Sequence, residues 1–205
     1  MTDPAIRKGR KFDQVLDGAR TIFLRDGFEG ASVDDIAREA GVSKATLYSY
    51  FPDKRLLFME VAKTECRRQA DAAVELIDPA LPPEQVLRAA AECIIAFITS
   101  EFGTGVYRIC VAESDRFPAL GHEFYHSGPL LLRERLVDYL RQAAGRGELA
   151  IEDFDLAADQ FAELCKADIH ARLLFGVSSC CRPRDSARVI EGAVQMFMAR
   201  YGTRR

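Results

Sequence analysis

The chain has 205 residues, of which 48% are hydrophobic and 29% are charged, and its formal net charge is −3. This balance describes a globular protein with a sizeable core, built as one domain or as a small domain joined to a larger one. No apolar run approaches the roughly 18 residues of a membrane span, and the N-terminus lacks the apolar stretch of a secretory signal. The sequence therefore predicts a cytoplasmic protein that makes no contact with a membrane.

Helical periodicity runs through nearly the whole sequence, and strand patterns are almost absent. The first predicted helix ends at Asp26-Gly27, because glycine readily takes the left-handed conformation that closes a helix. It carries a single apolar stripe, which consists of Phe12, Val15, Leu16, Ala19, Ile22 and Phe23. A basic arm precedes this helix, with Arg7, Lys8, Arg10 and Lys11. The arm suits contact with phosphate groups, and a solvated tail is the alternative.

Two short helices follow. The first begins after Ser32, a good N-cap, and stops at Gly41. The second begins after Ser43 and ends before Pro52, because the residue that precedes a proline avoids helical geometry. Longer helices are then predicted over about 54–77, from Pro83 onward, and over 104–114, 129–144, 153–176 and 184–201, with a broken helical segment between 115 and 129.

We therefore expect an all-α protein of about nine helices. Residues 1–55 are expected to form a three-helix DNA-binding domain of the helix-turn-helix type, and residues 56–205 are expected to form a helical bundle. The basis for the first assignment is the spacing A-x3-G-x5-L, given by Ala37, Gly41 and Leu47. A helix-turn-helix needs a small residue where its helices cross, a glycine in the turn and an aliphatic anchor on the second helix.

The stretch from Ser32 to Leu57, SVDDIAREAGVSKATLYSYFPDKRLL, closely resembles the signature of the TetR family of transcriptional regulators. The preceding helix and Asp26-Gly27-Phe28 match as well, so the resemblance covers about residues 12–60. It implies sequence-specific binding to double-stranded, pseudo-palindromic operator DNA. A purely structural helical protein does not explain the choice of residues in this stretch.

On the third helix Leu47 and Phe51 should point into the core of the domain. Lys44, Ala45, Tyr48 and Ser49 then lie on the opposite face, where they can meet base edges in the major groove. Phosphate ligands are expected around this face, at Ser32, Thr46, Tyr50 and Lys54, and Ser43 is also counted among the DNA-binding residues. An ordinary solvated helix face is the alternative.

The later segment Ala112-Glu-Ser-Asp-Arg-Phe-Pro-Ala-Leu120 resembles the C-terminal domain of AefR-like TetR regulators. This resemblance implies an effector cavity and a homodimer formed by the last two helices. A dimer also suits an operator whose half-sites lie about 34 Å apart. The predicted interface residues are Phe161, Leu164, Asp168, Arg172, Ile190, Val194 and Phe197, although Asp168 and Arg172 also have the spacing of an intrahelical ion pair.

A small apolar or aromatic effector is expected between the helix at 54–77 and the helix at 129–144. By shifting the former, it would change the spacing of the two recognition helices and release the operator. Candidate pocket walls are Phe97, Tyr107, Cys110, Phe117, Phe124 and Tyr125, each of which is alternatively plain core. Repression is the expectation from family habit, and activation remains the alternative.

An enzyme is the competing interpretation, because His122-Glu-Phe-Tyr-His126 matches the zinc-hydrolase pattern H-E-x-x-H. That pattern needs a stable helix and a third ligand. Glycines bracket the motif closely, and His170 is the only further histidine, so we expect no enzyme, no metal and no cofactor. The six cysteines, at 66, 93, 110, 165, 180 and 181, are expected to be buried thiols; metal sensing at the two histidines and redox sensing at Cys180-Cys181 stay open.

Overall fold

The computed structural model describes residues 9–76, 80–115 and 117–203. Within these ranges the chain is all α-helical apart from one isolated β-bridge, which confirms the predicted fold class. The helices are α1 (Arg10–Gly30), α2 (Val33–Glu39), α3 (Lys44–Tyr50), α4 (Lys54–Leu76), α5 (Pro83–Thr99), α6 (Glu101–Glu113), α7 (Pro118–Ser127), α8 (Pro129–Gly145), α9 (Phe154–Leu164), α10 (Ile169–Leu174) and α11 (Pro183–Tyr201). Residues Arg7, Lys8 and Ile77, which the sequence assigns to the arm and to a helix end, lie outside the described ranges.

The chain divides into two compact units. The described part of the first unit runs to Glu65 and adds Gly105–Phe124; the second unit contains Cys66–Thr104 and everything from Tyr125 onward. The predicted boundary at residue 55 does not coincide with this division, because the first three turns of α4 bury Leu57, Phe58 and Val61 in the first unit. The assignment of separate DNA-binding and effector-binding roles stays a prediction.

Aromatic contacts hold the core of the first unit together. The ring of Phe58 lies 4.8 Å from Phe23 and 5.1 Å from Phe28, both edge to face, which is a favourable arrangement of aromatic quadrupoles. The backbone of Gly27 has φ 68°, so the left-handed turn expected after Asp26 is confirmed. Helical structure nevertheless continues beyond the kink to Gly30.

An ion pair between a partly exposed arginine and a buried carboxylate joins α1 to α4 within the first unit. The Glu65 side chain is 2% exposed, and one carboxylate oxygen accepts a hydrogen bond from Arg20 Nε at 2.8 Å. A carboxylate is costly to bury unless a cation and hydrogen bonds compensate it. The pair therefore fixes the register between the two helices.

The core of the second unit is formed by α5, α8, α9 and α11. Their inward faces supply Leu87, Ile94, Leu140, Phe161 and Phe197, all of which are buried. The later half of α5 buries Ile94 and Ile95 in this core, whereas Phe97 and Ile98 are only half-buried.

The single helix predicted over 153–176 is wrong. The structure ends α9 at Leu164 and begins α10 at Ile169, because Asp168 has the left-handed backbone angle φ 65°. Its carboxylate is held there by Arg188 at 2.6 Å and Arg172 at 3.6 Å. The segment predicted to be broken between 115 and 129 contains the complete helix α7.

Candidate nucleic-acid interface

Helices α2 and α3 are set by two serine caps and one glycine. Ser32 Oγ accepts a hydrogen bond from the Asp35 amide at 3.0 Å, and Ser43 Oγ accepts one from the Thr46 amide at 3.1 Å. Each serine satisfies an N–H group that has no partner inside its helix. Gly41 lies in the turn between the helices with φ 62°, a conformation that favours glycine. The predicted helix-turn-helix is thus confirmed in its local geometry.

The turn is also packed tightly against α1. A Cβ atom on Gly18 would lie 2.7 Å from the amide nitrogen of Ala40, closer than side chains tolerate. Below α3, Leu47 and Phe51 are buried as predicted, and Ala37 is 5% exposed at the helix crossing. These contacts orient α3, and the sequence analysis missed the part that Gly18 plays in them.

The face of α3 opposite Leu47 is open to solvent. Tyr48 is 43% exposed, and Lys44, Ala45 and Ser49 are exposed beside it. These are the four side chains that the sequence assigned to base edges. A major groove admits an α-helix of this kind, and lysine and tyrosine supply donors for bases and phosphates.

Acidic residues on α2 modify this surface. Lys44 Nζ lies 2.9 Å from an Asp34 carboxylate oxygen, and the hydrogen bond to Asp34 raises the pKa of Lys44. Ser32 Oγ also donates to the Asp35 carboxylate at 2.5 Å, and Arg38 pairs with the same carboxylate. These contacts lower the pKa of Asp35, with the Ser32 bond as the largest cause. Lys44 and Ser32 would have to exchange these partners for DNA.

The residues predicted to bind phosphate have varied surroundings. The Thr46 hydroxyl lies 2.8 Å from Ser43 Oγ at the start of α3. Tyr50 is half-buried, with its ring 5.7 Å from that of Phe12.

Lys54 makes contacts that the sequence did not predict, because its ammonium group caps the end of α1. Its Nζ donates to the carbonyl oxygens of Phe28 at 2.7 Å and Ala31 at 3.0 Å. An ammonium group has three N–H donors, so one is left for a phosphate.

Four of the seven predicted interface residues are buried within this chain, and their role in a dimer interface stays a prediction. Phe161, Ile190, Val194 and Phe197 lie in the core of the second unit with 0–8% exposure, because the apolar stripe of α11 faces α5 and α9 of its own chain. Leu164 is half-buried, and Asp168 and Arg172 pair as the intrahelical alternative anticipated.

The outward faces of α9 and α11 carry a different apolar surface, which the sequence analysis missed. Leu156 is 51% and Met196 61% exposed. Both line a groove of about 560 Å³, whose other walls are Asp159, Gln160, Glu163, Leu164, Ala167, Phe197, Arg200 and Tyr201. We call this surface the α9–α11 groove.

The six predicted pocket residues divide between the units. Tyr107, Cys110, Phe117 and Phe124 lie in the first unit, and Phe97 and Tyr125 lie in the second. Tyr107 and Tyr125 are exposed, whereas Cys110 is buried with its sulfur 3.7 Å from that of Met59. Their role as effector contacts stays a prediction.

The H-E-x-x-H pattern lies on α7, and both of its histidines are exposed. Glu123 is paired with Lys63 at 2.6 Å. In the described ranges no three His, Cys, Asp or Glu side chains lie together in a way that could hold a metal ion. The prediction of buried thiols is confirmed for Cys66, Cys110 and Cys165 but is wrong for Cys93 and Cys180, which are exposed.

Of the helices in the described part of the chain, none alone combines the length and apolar character of a membrane span. The pair α5 and α6, bent by 67°, meets that test only when taken together.

Two family models match the chain. The model described as bacterial regulatory proteins of the tetR family matches residues 15–61. The model described as the C-terminal domain of AefR-like transcriptional repressors matches residues 85–203, more than half of the chain.

Individual proteins agree with these matches. The chain is 34% identical over 62 residues to the HTH-type transcriptional repressor AcnR of Corynebacterium diphtheriae, a match that covers 30% of the chain and 33% of AcnR. A solved TetR-family regulator from Mesorhizobium loti has a TM-score of 0.78 at 26% identity, and the Flavonoid-responsive Regulator FrrA has a TM-score of 0.66 at 31% identity. Each structural match covers 97% of this chain and 100% of the other. The chain belongs to the TetR family of transcriptional regulators, with an AefR-like C-terminal domain, and is a regulator rather than an enzyme.

Proposed function

We propose that this chain is a cytoplasmic repressor that binds a pseudo-palindromic operator as a homodimer and is released by a small apolar or aromatic effector. The observation that carries the proposal is the outward face of α3. Tyr48 and Lys44 are held in the open by Leu47 and Phe51, which anchor the opposite face in the core. Lysine, serine and tyrosine side chains are among the groups that contact the phosphates and bases of DNA.

On the operator, α3 lies in the major groove. Tyr48, Lys44, Ala45 and Ser49 face the base edges, and the hydroxyl groups at Ser32, Ser43, Thr46 and Tyr50 reach the phosphates. Lys54 adds its remaining N–H donor while it holds the end of α1. Because phosphate contacts displace counterions, binding falls steeply as salt concentration rises.

The homodimer is proposed to form through the α9–α11 groove, whose walls include Leu164 and Phe197 from the predicted interface. Leu156, Leu164 and Met196 give the groove its apolar floor. Asp159 and Glu163 on α9 and Arg200 on α11 give its rim both signs of charge, which suits an isologous contact between two copies.

For the effector, support comes from FrrA, which is described as flavonoid-responsive. The aromatic residues Phe97, Tyr107, Phe117, Phe124 and Tyr125, with Cys110, remain the proposed contacts. Helix α4 begins four residues after α3 ends, so a displacement of α4 moves the recognition helix. Effector and operator then oppose each other by a coupling of about 1–3 kcal/mol.

The test begins by selecting duplexes from a random DNA library with the wild-type protein. Binding of the selected duplex is then measured for Tyr48→Ala and Lys44→Ala, with Phe175→Ala as the control. Phe175 is an aromatic residue that is 84% exposed, but it lies in the second unit. We expect losses of about 1–3 kcal/mol for the first two variants and no loss for the control.

Failure to enrich any duplex would overturn the proposal. So would full affinity in a folded Tyr48→Ala, Lys44→Ala double variant, because the α3 face could then not be the contact surface.

A further inference from the structure

The loop between α10 and α11 contains two adjacent thiols in one groove. The groove has a volume of about 320 Å³ and is separate from the α9–α11 groove. Its walls are Ile169, Arg172, Leu173, Val177, Ser178, Ser179, Cys180, Cys181, Arg182 and Asp185. Cys180 is exposed and Cys181 is half-buried, so a small reagent in the groove reaches both sulfur atoms.

The adjacency of the two cysteines decides which chemistry suits them. Consecutive Cα atoms lie about 3.8 Å apart, whereas disulfides prefer about 4.4–6.8 Å. A direct S–S bond would therefore strain the loop. An atom that bridges the two sulfurs avoids this strain, because the sulfurs need not bond to each other. Thiolates are soft ligands that select soft centres.

The charges around the groove favour a neutral ligand. Arg182 Nε donates to Asp185 at 2.8 Å, and Arg172 donates to Ser178 Oγ at 3.0 Å while pairing with Asp168. Both guanidinium groups already have carboxylate partners, so an anionic ligand would have to compete with these carboxylates for the guanidinium groups. The hydroxyl groups of Ser178 and Ser179 instead offer hydrogen bonds to an uncharged, hydroxylated molecule.

We propose that Cys180 and Cys181 form a dithiol site for trivalent arsenic compounds. In the reaction each S–H bond is replaced by an As–S bond. The two protons leave with the oxygen of an arsenic oxide as one water molecule, and arsenic remains trivalent, so no oxidant or reductant is needed. Both cysteines line the groove, and Cys181 Sγ lies 3.1 Å from Ser186 Oγ, a contact that positions this thiol.

The experiment uses phenylarsine oxide and native mass spectrometry of the full chain. We expect one phenylarsenic group per chain, added with loss of one water. The adduct should survive an excess of a monothiol and be removed by a dithiol, because two As–S bonds to one protein resist exchange with separate thiols. Cys180→Ser and Cys181→Ser should each abolish the monothiol-resistant adduct.

Cys93→Ser is the matched control, because Cys93 is exposed but has no adjacent cysteine. The control should keep the adduct in full. The proposal is overturned if the wild type forms no monothiol-resistant adduct, if Cys180→Ser retains it, or if Cys93→Ser loses it. None of these readouts depends on operator binding.

Discussion

Helices α3 and α11 differ in how well their buried and exposed faces can be assigned from the sequence. On α3, the sequence places Leu47 in the core and Tyr48 in solvent, and the structure agrees. On α11, the sequence assigns the apolar stripe of Ile190, Val194 and Phe197 to a partner subunit, and the structure buries it within the same chain. The exposed apolar residue of α11 is instead Met196.

The difference has a physical cause. An apolar stripe shows only that a helix face leaves water, and the hydrophobic effect is the same whether the covering surface belongs to its own chain or to another. Helix α3 carries more information, because its open face combines aromatic, basic and hydroxyl groups that no core requires. A stripe therefore predicts burial, and a surface of unusual composition predicts a partner.

The largest expected effect follows from the inner face of α11. Phe197 is 1% exposed, and its ring lies 5.4 Å from Phe161 and 4.8 Å from Tyr201. Phe197→Ala should lower the free energy of unfolding by about 3–5 kcal/mol, because it leaves a cavity in a packed core. Denaturant unfolding at one protein concentration measures this, with Gln195→Ala as the control, because Gln195 is exposed on α11 and lies outside the walls of the α9–α11 groove. Equal losses of unfolding free energy for the two substitutions would mean that the inner and outer faces of α11 contribute equally to stability.

The next effect concerns the outer face. Met196→Asp should weaken dimerisation by about 2 kcal/mol or more, because it buries a charge in an apolar contact. The folded protomer should be nearly unaffected, since the side chain is 61% exposed. Sedimentation over a range of concentrations gives the association constant.

Val177→Asp is the matched control for the dimer. Val177 is 72% exposed and lies outside the α9–α11 groove. A dimer that resists Met196→Asp, or is equally weakened by Val177→Asp, would place the subunit contact elsewhere.

Much of the fold was predictable because local signals determine it. Ser32 and Ser43 cap their helices, and Gly41 forms the turn, as short-range rules require. The break in the helix at Asp168 was not predictable, since its left-handed backbone is held by Arg188, twenty residues away. The contact between Gly18 and Ala40 was missed for the same reason, because it joins residues distant in sequence.

The candidate site was predictable in its residues but not in its electrostatics. The exposed positions of Tyr48 and Lys44 followed from the helical periodicity of α3. The ion pair of Lys44 with Asp34 depends instead on the angle between two helices. Likewise, the sequence marks Lys54 as a cation beside DNA but does not show the two carbonyl groups that it caps. Side-chain partners across helices need three-dimensional positions.

The ion pair of Lys44 and Asp34 provides a smaller, sharper test of the DNA face. Asp34→Asn removes a carboxylate that competes with phosphate for Lys44. Operator affinity should rise by about 0.5–1 kcal/mol, and the dependence of binding on salt should become steeper by about one phosphate contact. Titrations at several salt concentrations measure both. A loss of affinity would show instead that Asp34 positions Lys44 for the base edges.

The smallest expected effect is a dependence of stability on pH in the second unit. Burial, followed by the charge of Lys166, lowers the pKa of His170 from its ordinary value of 6.5. The unfolded chain therefore binds a proton at this histidine more readily than the folded chain. Stability should fall as pH drops through 6.5 toward the lower folded-state value, and this contribution is fully present above 6.5.

Comparing the wild type with His170→Gln isolates this contribution, because the exposed His122 and His126 are common to both proteins. Between about pH 8 and pH 5, the unfolding free energy of the wild type should fall relative to that of the variant, because the unfolded wild type gains a proton that glutamine cannot bind. If unfolding free energy changes with pH in parallel for the two proteins, His170 keeps its ordinary proton affinity in the folded state. The core beside α10 would then be more accessible to water than the inner face of α11.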